Sequence, residues 1–224
     1  MSDSSNSSPH VHVDVVSDVV CPWCYIGKHR FEGAIARTPE IAVDVDWRPY
    51  FLNPWIPREG IDRKTYLETK FGSEARYDAI AERVAAAAAA EGLVYAPDKI
   101  SWQPSTLDCH RLILWSRTVT DPARMKQRLM QLYFAEGGNL SDPEVLIQAA
   151  VDCGMDGELV RRLLAGNDDV ERIEGEANAA KDAGIDGVPC FVFDSAFVVT
   201  GAQSPDYLAQ AIEHTAERQA QTTA

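Results

Sequence analysis

Strand-forming segments occur only near the two ends of this 224-residue chain. Residues 11–20 alternate and then become continuously apolar, residues 41–52 alternate again, and short apolar runs return at 189–194 and 197–200. Such patterns are typical of strands, whereas the segment from about 62 to 183 has the caps and apolar spacing of helices. The chain can therefore build one small sheet only if its two ends come together.

The order strand, helix, strand at the start of the chain favours a parallel pair with a right-handed crossover. Near the other end, the two-residue link Ser195–Ala196 predicts a hairpin. We therefore predict an α/β fold in which a four-stranded unit is interrupted by a long helical block. Within the block, helix N-caps are expected at Ser73, Ser105, Asp121 and Asp142.

Composition restricts the partners of this protein. The net charge is −13, which disfavours binding to phosphate backbones, so we expect no nucleic-acid partner. No basic cluster suits anionic lipid, and no apolar run reaches the roughly 18 residues that a membrane span requires. The polar N-terminus lacks the features of a secretory signal. We expect a cytoplasmic protein without a membrane partner.

The segment VVCPWCYIGK places a Cys-x-x-Cys pair directly after the first predicted strand. Pro22 suits the first turn of a helix, so Cys21 would lie at the helix N-terminus, where the free N–H groups favour an anion. That position lowers a thiol pKa from about 8.5 into the range of roughly 3.5 to 7.5. Cys24, one turn later, could then resolve a mixed disulfide formed at Cys21.

Two other uses of the pair are weaker. A structural zinc site needs four ligands, but the chain has one such pair, and Cys109, Cys153 and Cys190 stand on separate elements. A structural disulfide is rare in the cytoplasm. We therefore favour a redox pair and expect no metal, with a zinc-binding or non-catalytic thiol module as the alternative.

The remaining cysteines are expected to be buried. Cys109 shares a helix face with apolar neighbours and Cys153 lies near a helix end, so both are expected in the core. Cys190 follows Pro189 directly, where it could act as a third thiol, but a small buried strand residue is the favoured interpretation.

Several neighbours of the pair have open roles. Trp23, between the two cysteines, is expected to face a substrate groove. Lys28 and His29, further along the same helix, are expected to face solvent. Trp55 could line the groove or pack at the joint with the helical block.

A second element of the site is the distant segment GIDGVPCFVFD. Pro189 precedes a strand, where it cannot donate a ladder hydrogen bond. A cis Val188–Pro189 bond there would leave the preceding backbone groups free to pair with an extended substrate. The pattern alone leaves the isomer open, because only about 5–6% of X–Pro bonds are cis.

Taken together, these segments resemble the DsbA-like branch of the thioredoxin superfamily, and specifically its cytoplasmic FrnE-like group. The resemblance runs in order from about residue 11 to 213 through these segments: SDVVCPWCYIGKHRFE, PYFLNPWIPREGIDRKTYLETKFG, STLDCHRLILWS, YFAEGGNLSDPEVLIQAA and GIDGVPCFVFDSAFVVTGAQSPDYLAQAI.

The resemblance implies a thioredoxin-like fold with a large all-helical insertion. The thioredoxin-like domain would comprise residues 10–56 and 184–215, with the insertion at 60–180 and flexible tails at 1–9 and 218–224. Such a protein is expected to act as a monomer or homodimer on protein or small-molecule thiols and disulfides, and to need no cofactor.

The same resemblance implies roles for individual residues. Cys21 would be the exposed nucleophile and Cys24 the resolving thiol. Pro189 would be the cis-proline beside them, with Val188 presenting its backbone to the substrate.

Related branches suggest a second function. The 2-hydroxychromene-2-carboxylate isomerases and kappa-class glutathione transferases typically carry Ser in place of Cys21. Asn53 and the turn formed by Gly201, Ala202, Gln203 and Ser204 fall where those relatives handle glutathione. The helix start at Ser204 could hold a carboxylate or be an ordinary N-cap. Glutathione is therefore a candidate co-substrate, and a glutathione-dependent isomerase or transferase acting on a small aromatic compound is the alternative function.

Overall fold

The computed structural model describes residues 9–223, and within them the two ends of the chain form one sheet. Four strands build this sheet: β1 (His10–Ser17), β2 (Ala42–Pro49), β5 (Cys190–Phe193) and β6 (Phe197–Thr200). A separate two-stranded sheet pairs β3 (Ile61–Asp62) with β4 (Trp102–Gln103). The helices are α1 (Pro22–Ile35), α2 (Arg63–Phe71), α3 (Glu74–Ala90), α4 (Leu107–Ser116), α5 (Pro122–Gln131), α6 (Pro143–Asp152), α7 (Gly157–Ala165), α8 (Val170–Asp182) and α9 (Pro205–Thr223).

The strand order of the main sheet is β2–β1–β5–β6. β1 pairs with β2 in parallel, as the strand–helix–strand order predicts, and with β5 in the antiparallel direction. In that register Val16 lies opposite Cys190. The end of β1 and the start of β5 are therefore neighbours, which brings the Cys-x-x-Cys pair next to the Val188–Pro189 peptide.

The helical block forms where its capping residues predict. Asp121 and Asp142 each precede a helix that begins with proline, and each side chain accepts the backbone N–H of the residue two positions later. Ser73 caps α3 by accepting the N–H of Arg76, three positions later. The predicted cap Ser105 is displaced: α4 begins at Leu107, and Thr106 occupies the N-cap position.

Two predictions at the C-terminal end are wrong in detail. The hairpin link contains Asp194 as well as Ser195 and Ala196, and Asp194 and Ser195 have φ of +48° and +56°. These left-handed conformations match the twist of a tight hairpin. Helix α9 continues to Thr223, so residues 218–223 are helical rather than a flexible tail. Of the predicted tail 1–9, all but Pro9 lies outside the described residues.

One hydrophobic core joins the sheet to the helical block. Val13 and Phe191 of the sheet belong to the same buried cluster as Met125 and Leu129 of α5 and Leu112 of α4. The helical block therefore forms one side of the core under the sheet. In the described part of the chain, no helix combines the length and the apolar character needed to cross a bilayer.

Candidate active site

The Cys-x-x-Cys pair lies at the start of α1. Cys21 is the N-cap residue, with extended backbone angles (φ −91°, ψ 113°), and Pro22 follows in the first turn. The Cys21 carbonyl accepts the N–H groups of Cys24 and Tyr25 at 3.0 and 3.1 Å. Both cysteines are free thiols. The local fold predicted from the motif is thus confirmed.

The exposure expected for the nucleophile is wrong. Cys21 is only 4% exposed and Cys24 only 1%, because the helical block and the Val188–Pro189 peptide cover the pair.

The pKa values of the two thiols are shifted in opposite directions. A hydrogen bond from the Cys24 thiol lowers the pKa of Cys21, with help from the backbone N–H groups of Cys24 and Trp23 and against the effect of burial. Burial, together with the neighbouring Cys21, raises the pKa of Cys24 well above its ordinary value. The arrangement therefore favours a thiolate at Cys21 and a thiol at Cys24.

The Val188–Pro189 peptide is cis, which confirms the isomer that the resemblance implies. The Cys21 thiol points at the Val188 carbonyl, with 3.7 Å between Sγ and the oxygen. The Pro189 carbonyl accepts the N–H of Gly201 at 2.8 Å. This bond ties the turn at 201–204 to the carbonyl group of the cis-proline.

A close contact between α1 and Pro189 depends on Gly27. A Cβ atom added to Gly27 would lie 2.7 Å from Cγ of Pro189, a distance that real Cβ contacts essentially never show. Gly27 therefore allows α1 to approach the proline ring. Gly27 was not predicted from the sequence, although a glycine inside a helix often marks such an approach.

The polar groups of the turn proposed for glutathione already form hydrogen bonds within the protein. The Ala202 carbonyl accepts a hydrogen bond from Arg30 at 2.7 Å, and the Gln203 amide donates to the Thr200 carbonyl at 2.8 Å. The Ser204 hydroxyl accepts the N–H of Tyr207 at 3.2 Å. Ser204 is therefore an N-cap of α9, the plainer of its two predicted roles.

Asn53, in the segment after β2, is 7% exposed. Its Oδ1 accepts hydrogen bonds from the Lys70 ammonium and, at 3.5 Å, from the Tyr66 hydroxyl. Burial lowers the pKa of Lys70, while the negative charge available at Cys21 acts against this. Lys70 of α2 is thus a cation close enough to Cys21 for the two charges to interact, and no sequence motif indicates it.

The tryptophans differ from each other in exposure. Trp23 is half-buried and packs against two hydrophobic clusters rather than forming an exposed tip. Trp55 is 47% exposed and stacks on Tyr66, with ring centroids 6.1 Å apart. An open groove of about 300 Å³ lies beside Asn53, with Pro54 and Ile56 among its walls.

Charged side chains are buried behind the pair. Asp18 and Lys126 are 0% exposed and His110 is 3% exposed. Asp18 accepts the N–H of Leu52 at 2.8 Å through Oδ2, while its Oδ1 lies 3.4 Å from Nε2 of His110. Burial lowers the pKa of His110. Asp18 precedes the motif by three residues, and that proximity is the only sequence signal that could have identified it.

The prediction for Lys28 is wrong, whereas that for His29 is confirmed. Lys28 is 2% exposed and pairs with Glu32 one turn later, while His29 faces solvent. An ammonium can be buried here because Glu32 supplies the opposite charge.

The other cysteines are buried, as predicted, and burial raises the pKa values of Cys109, Cys153 and Cys190. Among the described residues, one group of three side chains could hold a metal ion: His12, Asp14 and Asp46, on the sheet. Arg48 already pairs with both of these carboxylates. The cysteine pair lies elsewhere.

Comparison with known proteins agrees with this geometry. A crystal structure described as a probable DsbA oxidoreductase from Streptomyces coelicolor is 33% identical, with a TM-score of 0.83, over 92% of this chain and 90% of that one. A protein of Bacillus subtilis strain 168, YwbO, is 28% identical over 90% of this chain and 96% of its own length. The cytosolic disulfide reductase DsbM of Pseudomonas aeruginosa, in a structure with GSH, shares the fold with 16% identity and a TM-score of 0.62, over 95% of this chain and 100% of that one.

The family comparison covers nearly all of the described chain. The DSBA-like thioredoxin domain matches residues 12–213, which include the cysteine pair, the cis-proline and the whole helical block. The chain belongs to the DSBA-like thioredoxin family of oxidoreductases and isomerases.

Proposed function

We propose that this protein is a thiol–disulfide oxidoreductase in which Cys21 attacks and Cys24 resolves. One observation carries the proposal: a thiol with a lowered pKa and a thiol with a raised pKa lie in one turn of helix, beside a cis Val188–Pro189 peptide. A thiolate is the nucleophile in disulfide exchange, so the first thiol is prepared to attack.

The reaction proceeds through a mixed disulfide. The Cys21 thiolate attacks one sulfur of a substrate disulfide, and the other sulfur leaves as a thiolate with the electron pair of the broken bond. Cys24 then attacks Cys21, its proton passes to the second leaving thiolate, and a Cys21–Cys24 disulfide forms. The substrate is reduced by two electrons and the protein is oxidised by two. The reverse sequence oxidises a substrate dithiol.

Protein or small-molecule disulfides fit this site. Val188 would present its backbone to an extended substrate next to the attacking sulfur. The groove beside Asn53 offers room for a neighbouring part of the substrate. Trp23, half-buried at the pair, would contact the substrate close to its sulfur.

Glutathione is the small thiol that we propose as co-substrate. Lys70 and Asn53 on one side would hold a carboxylate close to Cys21. The turn of Gly201, Ala202, Gln203 and Ser204 lies on the side of the cis-proline and would contact the rest of the peptide. DsbM, which shares the fold, has been crystallised with GSH. No other cofactor is proposed.

A cytoplasmic reductase or isomerase fits best. The potentials of thioredoxin-fold proteins span roughly −270 to −120 mV, while the cytosol lies near −220 to −320 mV. A pair toward the upper end would be kept reduced there, so reduction or reshuffling of disulfides is favoured over net oxidation. DsbM is likewise described as a cytosolic disulfide reductase.

Reduction of insulin disulfides tests the proposal. Cys21→Ser should lose the activity, Cys24→Ser should accumulate a mixed disulfide at Cys21, and the control Cys190→Ala should keep the activity of the wild type. A Cys21→Ser variant with full activity would exclude Cys21 as the nucleophile. A wild type that exchanges no disulfide but isomerises a glutathione-activated aromatic compound would establish the alternative function.

A further inference from the structure

Arg30 is a charged residue of α1 that the proposed reaction does not use. Its side chain is 19% exposed, and its guanidinium donates hydrogen bonds to two separate segments of the chain. Nε donates to the Glu91 carboxylate at 2.6 Å, and Nη1 donates to the Ala202 carbonyl at 2.7 Å. Glu91 directly follows α3, whereas Ala202 lies in the turn before α9. Arg30 therefore joins α1, the end of α3 and this turn at one point.

The turn that Arg30 holds is tied to the cis-proline. The N–H of Gly201, in that turn, donates to the Pro189 carbonyl at 2.8 Å. Pro189 follows Val188, whose carbonyl oxygen lies 3.7 Å from the Cys21 sulfur. Two hydrogen bonds and the cis peptide thus connect Arg30 to the backbone beside the attacking thiol.

Helix α1 carries both ends of this connection. Cys21 is the N-cap of α1, and Arg30 lies on the same helix three positions after Gly27, where α1 approaches the ring of Pro189. Residues three apart share a helix face. A Cβ atom added to Gly27 would also lie 3.5 Å from Cβ of Ala202, so this face packs on the proline and on the turn together. Gly27 allows the close approach, and Arg30 supplies the polar contact that fixes it.

We propose that Arg30 is a positioning residue that sets the place of the Val188 backbone relative to Cys21, a role that rests on the disulfide-exchange function proposed above. Arg30 takes no part in the bonds that form and break. It acts on the binding of a polypeptide substrate, because an extended peptide pairs with exposed backbone groups. A disulfide that has no peptide groups does not use this pairing.

The two bonds of Arg30 depend on the shape of its guanidinium group. The planar group holds several donors in fixed directions, so Nε and Nη1 can serve Glu91 and Ala202 at the same time. Lysine would keep the charge but has a single nitrogen in place of two. Methionine would keep an unbranched apolar side chain and remove both bonds. Without its donor, the Ala202 carbonyl no longer holds the turn against α1.

Insulin and hydroxyethyl disulfide, which has no peptide groups, separate substrate placement from thiol chemistry. Arg30→Met should raise the KM for insulin about tenfold, since a misplacement of about 1 Å can cost up to about a hundredfold. The kcat for insulin and the rate with hydroxyethyl disulfide should change less than about twofold, because a rise in KM at constant kcat reports lost substrate binding. The pH midpoint of Cys21 alkylation should stay in place.

Two variants serve as matched controls. Arg37, just after α1, pairs with Asp206 of α9 at 3.2 Å and donates to the Gly33 carbonyl of its own helix, so Arg37→Met removes a neighbouring arginine outside the connection. Glu91→Gln removes the negative charge but keeps the bond from Arg30 to the turn. Each control should leave the KM for insulin within about twofold of the wild type.

Thermal unfolding shows whether each variant is folded. Arg30→Lys replaces the methionine variant if that one is not, and the KM for insulin should rise there too because one nitrogen cannot replace two donors. An unchanged KM for insulin, or equal losses with both disulfides, would overturn the proposal. Equal losses would show that Arg30 only supports packing. A wild type that reduces neither disulfide would instead refute the proposed function, and the role of Arg30 would fall with it.

Discussion

The thiol of Cys21 faces the carbonyl oxygen of Val188 at 3.7 Å, although the two residues are 167 positions apart in the sequence. Their contact follows from the pairing of β1 with β5, which sets the end of one strand beside the start of the other. The attacking sulfur thus lies next to the backbone that we expect to hold the substrate. Proximity of this kind reduces the entropy cost of the exchange reaction that we propose.

Replacement of Cys24 should change the acidity of Cys21. The largest effect that lowers the pKa of Cys21 is the hydrogen bond from the Cys24 thiol. Cys24→Ala should therefore raise the pH midpoint of Cys21 ionisation, measured by the ultraviolet absorbance of the thiolate or by the rate of alkylation. Cys190→Ala, which removes a buried thiol outside the pair, should leave the midpoint in place. An unchanged midpoint in Cys24→Ala would assign the lowered pKa to the helix N-terminus instead.

A methyl group at position 27 should disturb the active site. In Gly27→Ala the new Cβ would overlap Cγ of Pro189, and overpacking of this kind costs about 1–3 kcal/mol. We expect a lower melting temperature and slower insulin reduction. Gly33→Ala on the same helix is the control, because its Cβ would meet the flexible end of Arg37 at 3.2 Å and Pro205 only at ordinary contact distances of 3.7 and 3.8 Å. Equal effects of the two substitutions would rule out a special role for the contact with Pro189.

Replacement of Lys70 should slow the reduction of a disulfide that carries carboxylates more than the reduction of a neutral disulfide. If its ammonium holds a carboxylate of glutathione, Lys70→Met should slow reduction of glutathione disulfide several-fold more than reduction of hydroxyethyl disulfide, which carries no carboxylate. Lys64→Met, at an exposed position of the same helix, should slow neither reaction. Stopped-flow measurement of the two substrates with each variant tests this. Identical losses with both substrates would remove Lys70 from the proposed glutathione site.

Lys126 should lower the stability of the protein at neutral pH. Burial lowers its pKa from 10.5 to about 8, so the unfolded chain binds the proton more tightly than the folded one. The resulting penalty, about 3 kcal/mol at about 1.4 kcal/mol per unit of pKa, is fully present below pH 8 and is relieved as the pH rises toward 10.5.

Urea unfolding of wild type and Lys126→Met at several pH values measures this penalty. The variant should be more stable by about 2–3 kcal/mol at pH 7, with a difference that shrinks above pH 8. A destabilised variant at neutral pH would mean that the ammonium is better paired than its surroundings indicate.

The parts of the fold that the sequence predicts are those with local signals. The alternation of Val11, Val13 and Val15 marks β1, and the Asp-Pro pairs mark the starts of α5 and α6. The cysteine pair and the proline before β5 could be identified because chemistry restricts the residue types at those places. The cis isomer needed the family resemblance, since sequence pattern alone does not determine it.

The buried charges could not be predicted in the same way. Lysine is usually found at the protein surface, so the sequence gives no reason to expect Lys126 and Lys28 in the interior. Only the packing of α5 and α1 in three dimensions encloses them. A weak signal exists for Lys126, because Met130 and Tyr133 follow on the same helix face and are buried. The low exposure of Cys21 has the same origin: the covering segments are distant in sequence.

The pairing of β1 with β5 also has a consequence for the order in which the parts of the proposed site are synthesised. Val188, Pro189 and the strand that positions them are synthesised after Cys21, with the whole helical block between them. Until β5 adds to the sheet, the nascent chain has its two thiols without the peptide that should orient a substrate. The disulfide exchange that we propose therefore needs β5 as well as the cysteine pair, and a ribosome-bound fragment that ends before β5 lacks the Val188–Pro189 peptide beside Cys21.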